Sequence, residues 1–314
     1  MTYEHGKKGI KVVSLNISKE KGTIKIPVND FKIDERGVIG DAHAGHWHRQ
    51  VSLLAKESIL KIGIKHNRIF KNGEFAENVT TEGIELINIS LLDRFKIRDI
   101  LLEVTQKGKK CHSGCEIFKE VGDCIMPKEG IFCRVLSTGE VKKGDTIEYL
   151  KKLLKIKIIT LSDRASTGEY KDKSGPIIKQ LVADFFNSTS WHISIETNIL
   201  PDNPEKLKDE ILKSVDKKTD IIITSGGTGI GPKDFTPYVV GPLCDKFIPG
   251  IMEHIRLKYG KDQPNALLSR SIAGIKKYSL IYTLPGSPRA VREYMKEIFP
   301  TLEHSILMLH GIGH

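Results

Sequence analysis

The run Ile221-Ile-Ile-Thr-Ser-Gly-Gly-Thr-Gly-Ile230 reads as a buried-type strand that ends in a turn carrying Gly226, Gly227, Thr228 and Gly229. Glycines let a backbone turn tightly and approach a ligand closely, and successive N–H groups in such a turn make a nest for an anion. No Gly-Lys-Ser/Thr follows, so this is not a Walker loop. Asp234 follows in Pro232-Lys-Asp-Phe-Thr-Pro237, and Asp202 closes an earlier strand-like run in Leu200-Pro-Asp202. Two acids beside a phosphate cradle suit a magnesium nucleotide, because Mg²⁺ takes one or two carboxylates and fills its shell with phosphate oxygens and water. Ser162, Asp163 and Arg164 end a further strand, and the Arg164 guanidinium has the shape for bidentate phosphate contact. The same residues also have a plain structural reading. The glycines then make only a turn, Asp202 caps the helix that begins near Pro204, Asp234 serves its turn, and Asp163 pairs with Arg164.

A second group lies in the first half: His43, His46 and His48, with Trp47 and Arg49 among them. They are candidate ligands or anion contacts. Four of the five cysteines fall between Cys111 and Cys133. Clustered thiols in a cytosolic chain point to reactivity or metal binding before disulfides. Cys111 follows Lys107, Lys109 and Lys110, and nearby cations favour the thiolate, the form that acts as nucleophile and metal ligand. A zinc site from Cys111, His112, Cys115 and Cys124 is the rival, though paired C-x-x-C spacing is missing; inert buried thiols are the third possibility.

The elements that must position these groups differ between the halves. Short strand-like runs at 12–17, 23–28, 51–54, 100–105, 131–136 and 146–149, separated by glycine turns and one helix at 55–62, predict a mostly-β, barrel-like fold for residues 1–150. Residues 151–314 alternate. Strands at 157–161, 193–199, 220–224 and 279–284 are interleaved with helices at 174–186, 204–215, 250–259, 288–298 and 300–309. That order predicts an α/β doubly wound, mostly parallel sheet, whose ligands bind beyond the carboxyl ends of the strands.

Composition narrows the partners. Residues 1–150 hold 25 Lys/Arg against 21 Asp/Glu, and residues 151–314 hold 24 against 18. The basic excess is thus shared, without the stripe or tail of a nucleic-acid binder. No apolar run approaches membrane length. The polar N-terminus lacks signal-peptide features, so a cytoplasmic protein is expected.

Residues 155–314 resemble molybdopterin adenylyltransferases and their relatives. The matching strings are Leu161-Ser-Asp-Arg-Ala-Ser166, Leu200-Pro-Asp202, Thr224-Ser-Gly-Gly-Thr-Gly229, Lys233-Asp-Phe-Thr-Pro237, Ile248-Pro-Gly250, Leu268-Ser-Arg270 and Leu284-Pro-Gly286, in family order. The resemblance implies attack of the molybdopterin phosphate on the α-phosphorus of ATP, with Asp202 and Asp234 holding Mg²⁺ and ATP. Gly226, Gly227 and Gly229 would cradle phosphate; Ser162, Asp163, Arg164, Ser225, Thr228, Pro285 and Gly286 would contribute to the cofactor site; Ser269 and Arg270 would line the pterin side. It also implies a homo-oligomer, a trimer through this half, working with other molybdenum-cofactor synthesis proteins. Two positions depart from the pattern: Tyr238 stands where an acid is usual, and Thr283 where Asn is common. They leave open a non-catalytic molybdopterin or molybdenum-cofactor binding and delivery protein.

Residues 10–150 resemble the MOSC domain through the string from Val38 to Ser52, the string from Leu102 to Cys115, Phe75-Ala-Glu-Asn-Val79 and Gly130-Ile-Phe132. By that resemblance Cys111 matches the cysteine that handles sulfur or binds the metal of the molybdenum cofactor.

Overall fold

A computed structural model describes residues 9–108 and 124–312. The chain forms two compact units, Met1–Lys152 and Leu153–His314.

In the first unit, β1 (Ile10–Ile17), β5 (Val51–Ala55), β6 (Val79–Glu82), β7 (Arg94–Ile97), β8 (Ile100–Lys107), β9 (Ile131–Ser137) and β11 (Thr146–Leu150) close into a seven-strand barrel. The order is β11-β7-β8-β9-β5-β6-β1, and β1 pairs back onto β11. Closure removes the exposed edges that an open sheet would leave. Alternate side chains such as Val12, Leu53, Phe95, Leu102 and Val104 fill the interior. β2 (Ile26–Val28) extends the sheet from β1, while β3 (Asp30–Asp34), β4 (Gly37–Val38) and β10 (Gly139–Lys142) form a small separate sheet. The helix Lys56–His66 buries Ser58, Ile59 and Ile62 and ends on Asn67 in the left-handed region, the usual stop for a helix.

The second unit is one mixed sheet of order β13-β12-β14-β17-β16-β15. β12 (Leu153–Leu161), β13 (His192–Leu200), β14 (Ile221–Ser225) and β17 (Ser279–Leu284) are parallel; β16 (Ala273–Lys276) and β15 (Lys246–Phe247) add on antiparallel. The near-continuous Ile/Leu content of β12 and β14 marks strands covered on both faces. Helices supply the cover: Ser174–Asn187 buries Ile178, Val182 and Phe186, and Pro204–Asp216 buries Leu207, Ile211 and Val215, both at helical spacing.

The structure differs from the sequence reading at two helices. Residues 288–309 form one helix, not two, with Pro300 inside it. Its buried stripe Val291, Tyr294, Met295, Ile298, Leu302 and Ile306 keeps its period through the proline, so packing offsets the missing backbone hydrogen bond. The helix Thr236–Leu243 was not expected, because Gly241 and Pro242 lower its propensity; buried Val240 holds it against the core that includes Ile222 and Ile281.

Candidate active site

Register places the loops together. Leu161 of β12 pairs with Leu200 of β13, Thr160 with Ser225 of β14, and Ser225 with Leu284 of β17. The four parallel strands therefore end on one edge, and the segments beginning at residues 162, 201, 226 and 285 all leave from it. The chain steps from β12 to one side for β13 and to the other for β14. The crevice at such a switch point is where open α/β sheets bind ligands.

A pocket of 350 Å³ occupies that crevice, lined by Leu161, Ser162, Asp163, Arg164, Asp202, Gly227, Lys233 and Asp234. Asp202 and Asp234 thus share one pocket. Asp202 does not cap the following helix; Asn203 does, accepting from the Lys206 N–H at 3.0 Å. Asp202 is instead locked to Asp163. The Asp202 N–H donates to Asp163 Oδ1 at 2.9 Å, and the Asp163 N–H donates to Asp202 Oδ2 at 3.2 Å. The backbone N–H of Asp202, with help from Lys233 Nζ at 3.4 Å, holds the Asp163 carboxyl below its ordinary range. Asp163 does not pair with Arg164, whose guanidinium lies 5.4 Å over the Tyr170 ring.

Asp234 serves its turn as well as the pocket: its Oδ2 accepts from the Gly231 N–H at 2.8 Å. Among the described residues, neither Asp202 Oδ1 nor Asp234 Oδ1 has a hydrogen-bond partner. Each acid therefore keeps an oxygen for a cation. Two such oxygens fit Mg²⁺, which retains water and phosphate oxygens. No three His, Cys, Asp or Glu side chains among the described residues gather into a metal cage.

The three loop glycines have no room for side chains. Gly226 and Gly227 have φ of +113° and +64°, and a Cβ would stand 2.7 Å from the Leu161 carbonyl and 2.7 Å from Thr236 Oγ1, respectively. A Cβ on Gly229 would meet Asp234 Oδ2 at 2.7 Å. Thr236 Oγ1 donates to the Gly226 carbonyl at 2.8 Å, and Ser225 Oγ donates to the Pro285 carbonyl at 3.1 Å, tying β14 to the end of β17.

Beyond the loop, a cavity of 660 Å³ is lined by Thr228, Gly229, Ser269, Pro285 and Gly286, among others. Its far wall, including Tyr259, Asn265, Glu293 and Tyr294, was not found from sequence, because these side chains come from separate helices and turns with no motif. Ser269 Oγ accepts from Tyr294 Oη at 2.8 Å. Ser269 and Arg270 diverge: Arg270 lines a different, 390 Å³ pocket with Ile230, Pro232, Phe235 and Tyr238. Thr283 is buried within β17, where its hydroxyl accepts from the Ile272 N–H at 2.7 Å.

In the barrel unit, Cys111, His112 and Cys115 lie outside the described residues. Cys124 and Cys133 are buried in apolar clusters, and burial, then the Glu103 charge, pushes the Cys133 thiol far up. The histidines have separate surroundings. The His43 N–H donates to Asp41 Oδ1 at 2.9 Å, and its Nδ1 lies 3.4 Å from Lys25 Nζ. Asp41 is also bonded by Lys25 Nζ and, at 3.0 Å, by the Ser18 N–H. Burial alone would raise the Asp41 carboxyl, but the bonds from His43 and Lys25 and the Lys25 charge hold it far below the ordinary range. Burial, then Arg49 and Arg134, lowers the pKa of His48, while His46 is exposed. Trp47 donates through Nε1 to the His43 carbonyl at 2.9 Å, and the Arg49 guanidinium lies 4.6 Å over its ring. Glu77 is fully buried, and burial raises its pKa despite bonds from the Gly73 N–H at 2.6 Å and Thr80 Oγ1 at 2.9 Å.

Among the described residues, no helix is long and apolar enough to cross a membrane. Residues 157–304 match the family model described as "Probable molybdopterin binding domain", and residues 40–148 match the MOSC domain. The chain is 34% identical over 158 residues to the molybdopterin adenylyltransferase of Helicobacter pylori strain J99, spanning 50% of this chain and 88% of that protein. It is 39% identical over 160 residues to gephyrin of Dictyostelium discoideum, spanning 49% of this chain and 22% of that longer protein. A solved structure of the molybdopterin biosynthesis Mog protein from Mycobacterium ulcerans is 32% identical, covers 50% of this chain and 99% of its own, and has a TM-score of 0.45. The chain belongs, through residues 157–304, to the family of molybdenum-cofactor biosynthesis domains related to molybdopterin adenylyltransferases, and it carries a MOSC domain at residues 40–148.

Proposed function

We propose that the C-terminal unit transfers the adenylyl group of ATP to the phosphate of molybdopterin. The observation that carries this reading is the convergence of Asp202 and Asp234, from loops after different strands, on one pocket with Gly227, Arg164 and Lys233. A phosphate oxygen of molybdopterin forms a bond to the α-phosphorus, the bond from that phosphorus to the α,β-bridging oxygen breaks, and pyrophosphate leaves with the electron pair. No covalent intermediate on the protein is needed, so catalysis is positioning and charge neutralisation. The free Oδ1 atoms of Asp202 and Asp234 would hold Mg²⁺, which neutralises charge on the phosphates when bound. Arg164 and Lys233 supply positive charge at the pocket, and Gly227 and Gly229, without side chains, let the loop's N–H groups come close to phosphate. The activity named for the H. pylori relative supports the same reading.

The test is pyrophosphate release by the full chain given ATP, Mg²⁺ and molybdopterin, lowered about 1000-fold in Asp234→Ala. Tight molybdopterin binding by a wild type that releases no pyrophosphate would replace this reading with a carrier and delivery role.

The MOSC unit, in the same proposal, binds or modifies the cofactor through Cys111. The burial of Cys124 and Cys133 supports this by removing two rival thiols. Cys111→Ser is expected to lose sulfur or metal delivery to an acceptor and to keep pyrophosphate release; retained delivery overturns it.

A further inference from the structure

The guanidinium of Arg270 bonds to the backbone at both ends of a short loop. Its Nε donates to the Gly229 carbonyl at 2.7 Å, and its Nη2 donates to the Asp234 carbonyl at 2.5 Å. The Arg270 backbone N–H donates to the Thr228 carbonyl at 2.8 Å, so the side chain is anchored beside the loop it grips. The Tyr238 ring, on the helix that begins just after Asp234, lies 4.5 Å from the guanidinium. A planar, delocalised cation matches this arrangement: it donates in a fixed fork along its edge and stacks on an aromatic through its face.

The residues between the two gripped carbonyls are Ile230, Gly231, Pro232 and Lys233, the last of which also reaches Asp163 Oδ2 at 3.4 Å. Within the loop, Asp234 N–H donates to the Gly231 carbonyl at 3.0 Å, and Gly231 N–H returns to Asp234 Oδ2. Those bonds fix the turn internally. The clasp of Arg270 fixes the turn to the rest of the sheet edge, and with it the place of the Asp234 carboxylate relative to Asp202.

We propose that Arg270 is a positioning residue, a two-pronged staple that sets the Gly229–Asp234 turn, with the Tyr238 ring holding the staple flat. The proposal rests on the adenylyl-transfer reading only for its kinetic arm. It assigns Arg270 to the protein backbone and not to the pterin, and it gives Tyr238 a task.

The deciding experiment is amide hydrogen exchange of the unliganded full chain, wild type against Arg270→Met, Arg270→Lys and Tyr238→Ala. Peptides covering residues 228–236 are expected to exchange about 10-fold faster in both Arg270 variants, with strand residues 221–225 unchanged. Tyr238→Ala, which keeps all the donors, is expected to fall between them and wild type. A single ammonium cannot span two carbonyls, so Lys should not rescue; full rescue by Lys would show that charge alone matters and overturn the staple. Unchanged exchange in Arg270→Met would overturn it outright. In turnover, Arg270→Met is expected to lower kcat about 10- to 100-fold and to raise the Mg²⁺ requirement, with molybdopterin affinity within about 2-fold. Loss of molybdopterin affinity with an unperturbed loop would make Arg270 a ligand contact instead. A wild type without turnover defeats the adenylyl-transfer reading and leaves the exchange result to decide the staple alone.

Discussion

In the barrel unit the carboxylates of Asp41, Glu77 and Glu103 lie sealed inside, whereas in the parallel-sheet unit Asp163, Asp202 and Asp234 sit on loops at the strand ends. Asp41 and Glu103 are nearly saturated, whereas Glu77 takes its bonds on Oε1 and keeps a buried Oε2 without a partner. Asp41 takes bonds from Lys25, His43 and Ser18, and Glu103 takes Arg134 Nη2 at 2.6 Å and Arg94 Nε at 2.9 Å. Asp202 and Asp234 take a backbone N–H on one oxygen and leave the other open, while Asp163 is bonded on both. A buried acid left unpaired destabilises the fold; a loop acid with a spare lone pair costs little and can take a ligand. Burial and bonding state, more than residue type, therefore separate acids that specify structure from acids able to do chemistry.

Substitutions at four positions sharpen or break this comparison. The largest effect is expected for Asp234→Ala: pyrophosphate release falls about 1000-fold, while the unfolding free energy read from urea titration changes by no more than about 0.5 kcal/mol. A large loss of stability there would move Asp234 into the structural class. Asp41→Ala is the converse. It removes the buried carboxylate that Lys25, His43 and Ser18 bond, and is expected to cost about 3–5 kcal/mol in urea unfolding, with kcat of the folded protein unchanged.

The buried Lys157 offers a parallel within the second unit. Its Nζ meets Glu196 Oε1 and Glu210 Oε1, both at 2.6 Å. Lys157→Ala is expected to destabilise by about 3 kcal/mol and Lys157→Met by less, as read by thermal melting.

The smallest effect is in pH dependence. Burial raises the Glu77 pKa, so its contribution is full below the ordinary carboxylate range and is lost as pH rises through the folded value. Glu77→Gln should flatten that decline above the ordinary carboxylate range. Asp41 runs the other way: its lowered pKa gives stability above the ordinary carboxylate range that is lost as pH falls. Urea titrations at stepped pH would read both slopes, and an unchanged slope in Glu77→Gln would show that this acid is not proton-linked.

Much of the architecture was legible because periodicity is local. The Ile-rich runs of β12 and β14 and the spacing Leu207, Ile211, Val215 are written in adjacent residues, and they suffice for strand, helix and fold class. The helix Thr236–Leu243 was not legible, since its Gly and Pro argue against it and only its contact with the core sustains it. The unbroken helix through Pro300 escaped for the same reason.

For the candidate site, the residue types themselves determined what was possible. Glycines that tolerate positive φ, acids after strands and the order of the short strings limited the chemistry to an anion and a cation held together. Which acid keeps a free oxygen, which arginine grips backbone and which thiols are sealed was decided only by the tertiary structure. Hydrogen bonds such as Asp202 to Asp163, or Arg270 to Gly229 and Asp234, join residues about 40 positions apart, and no local pattern encodes a partner that the fold alone brings within 3 Å.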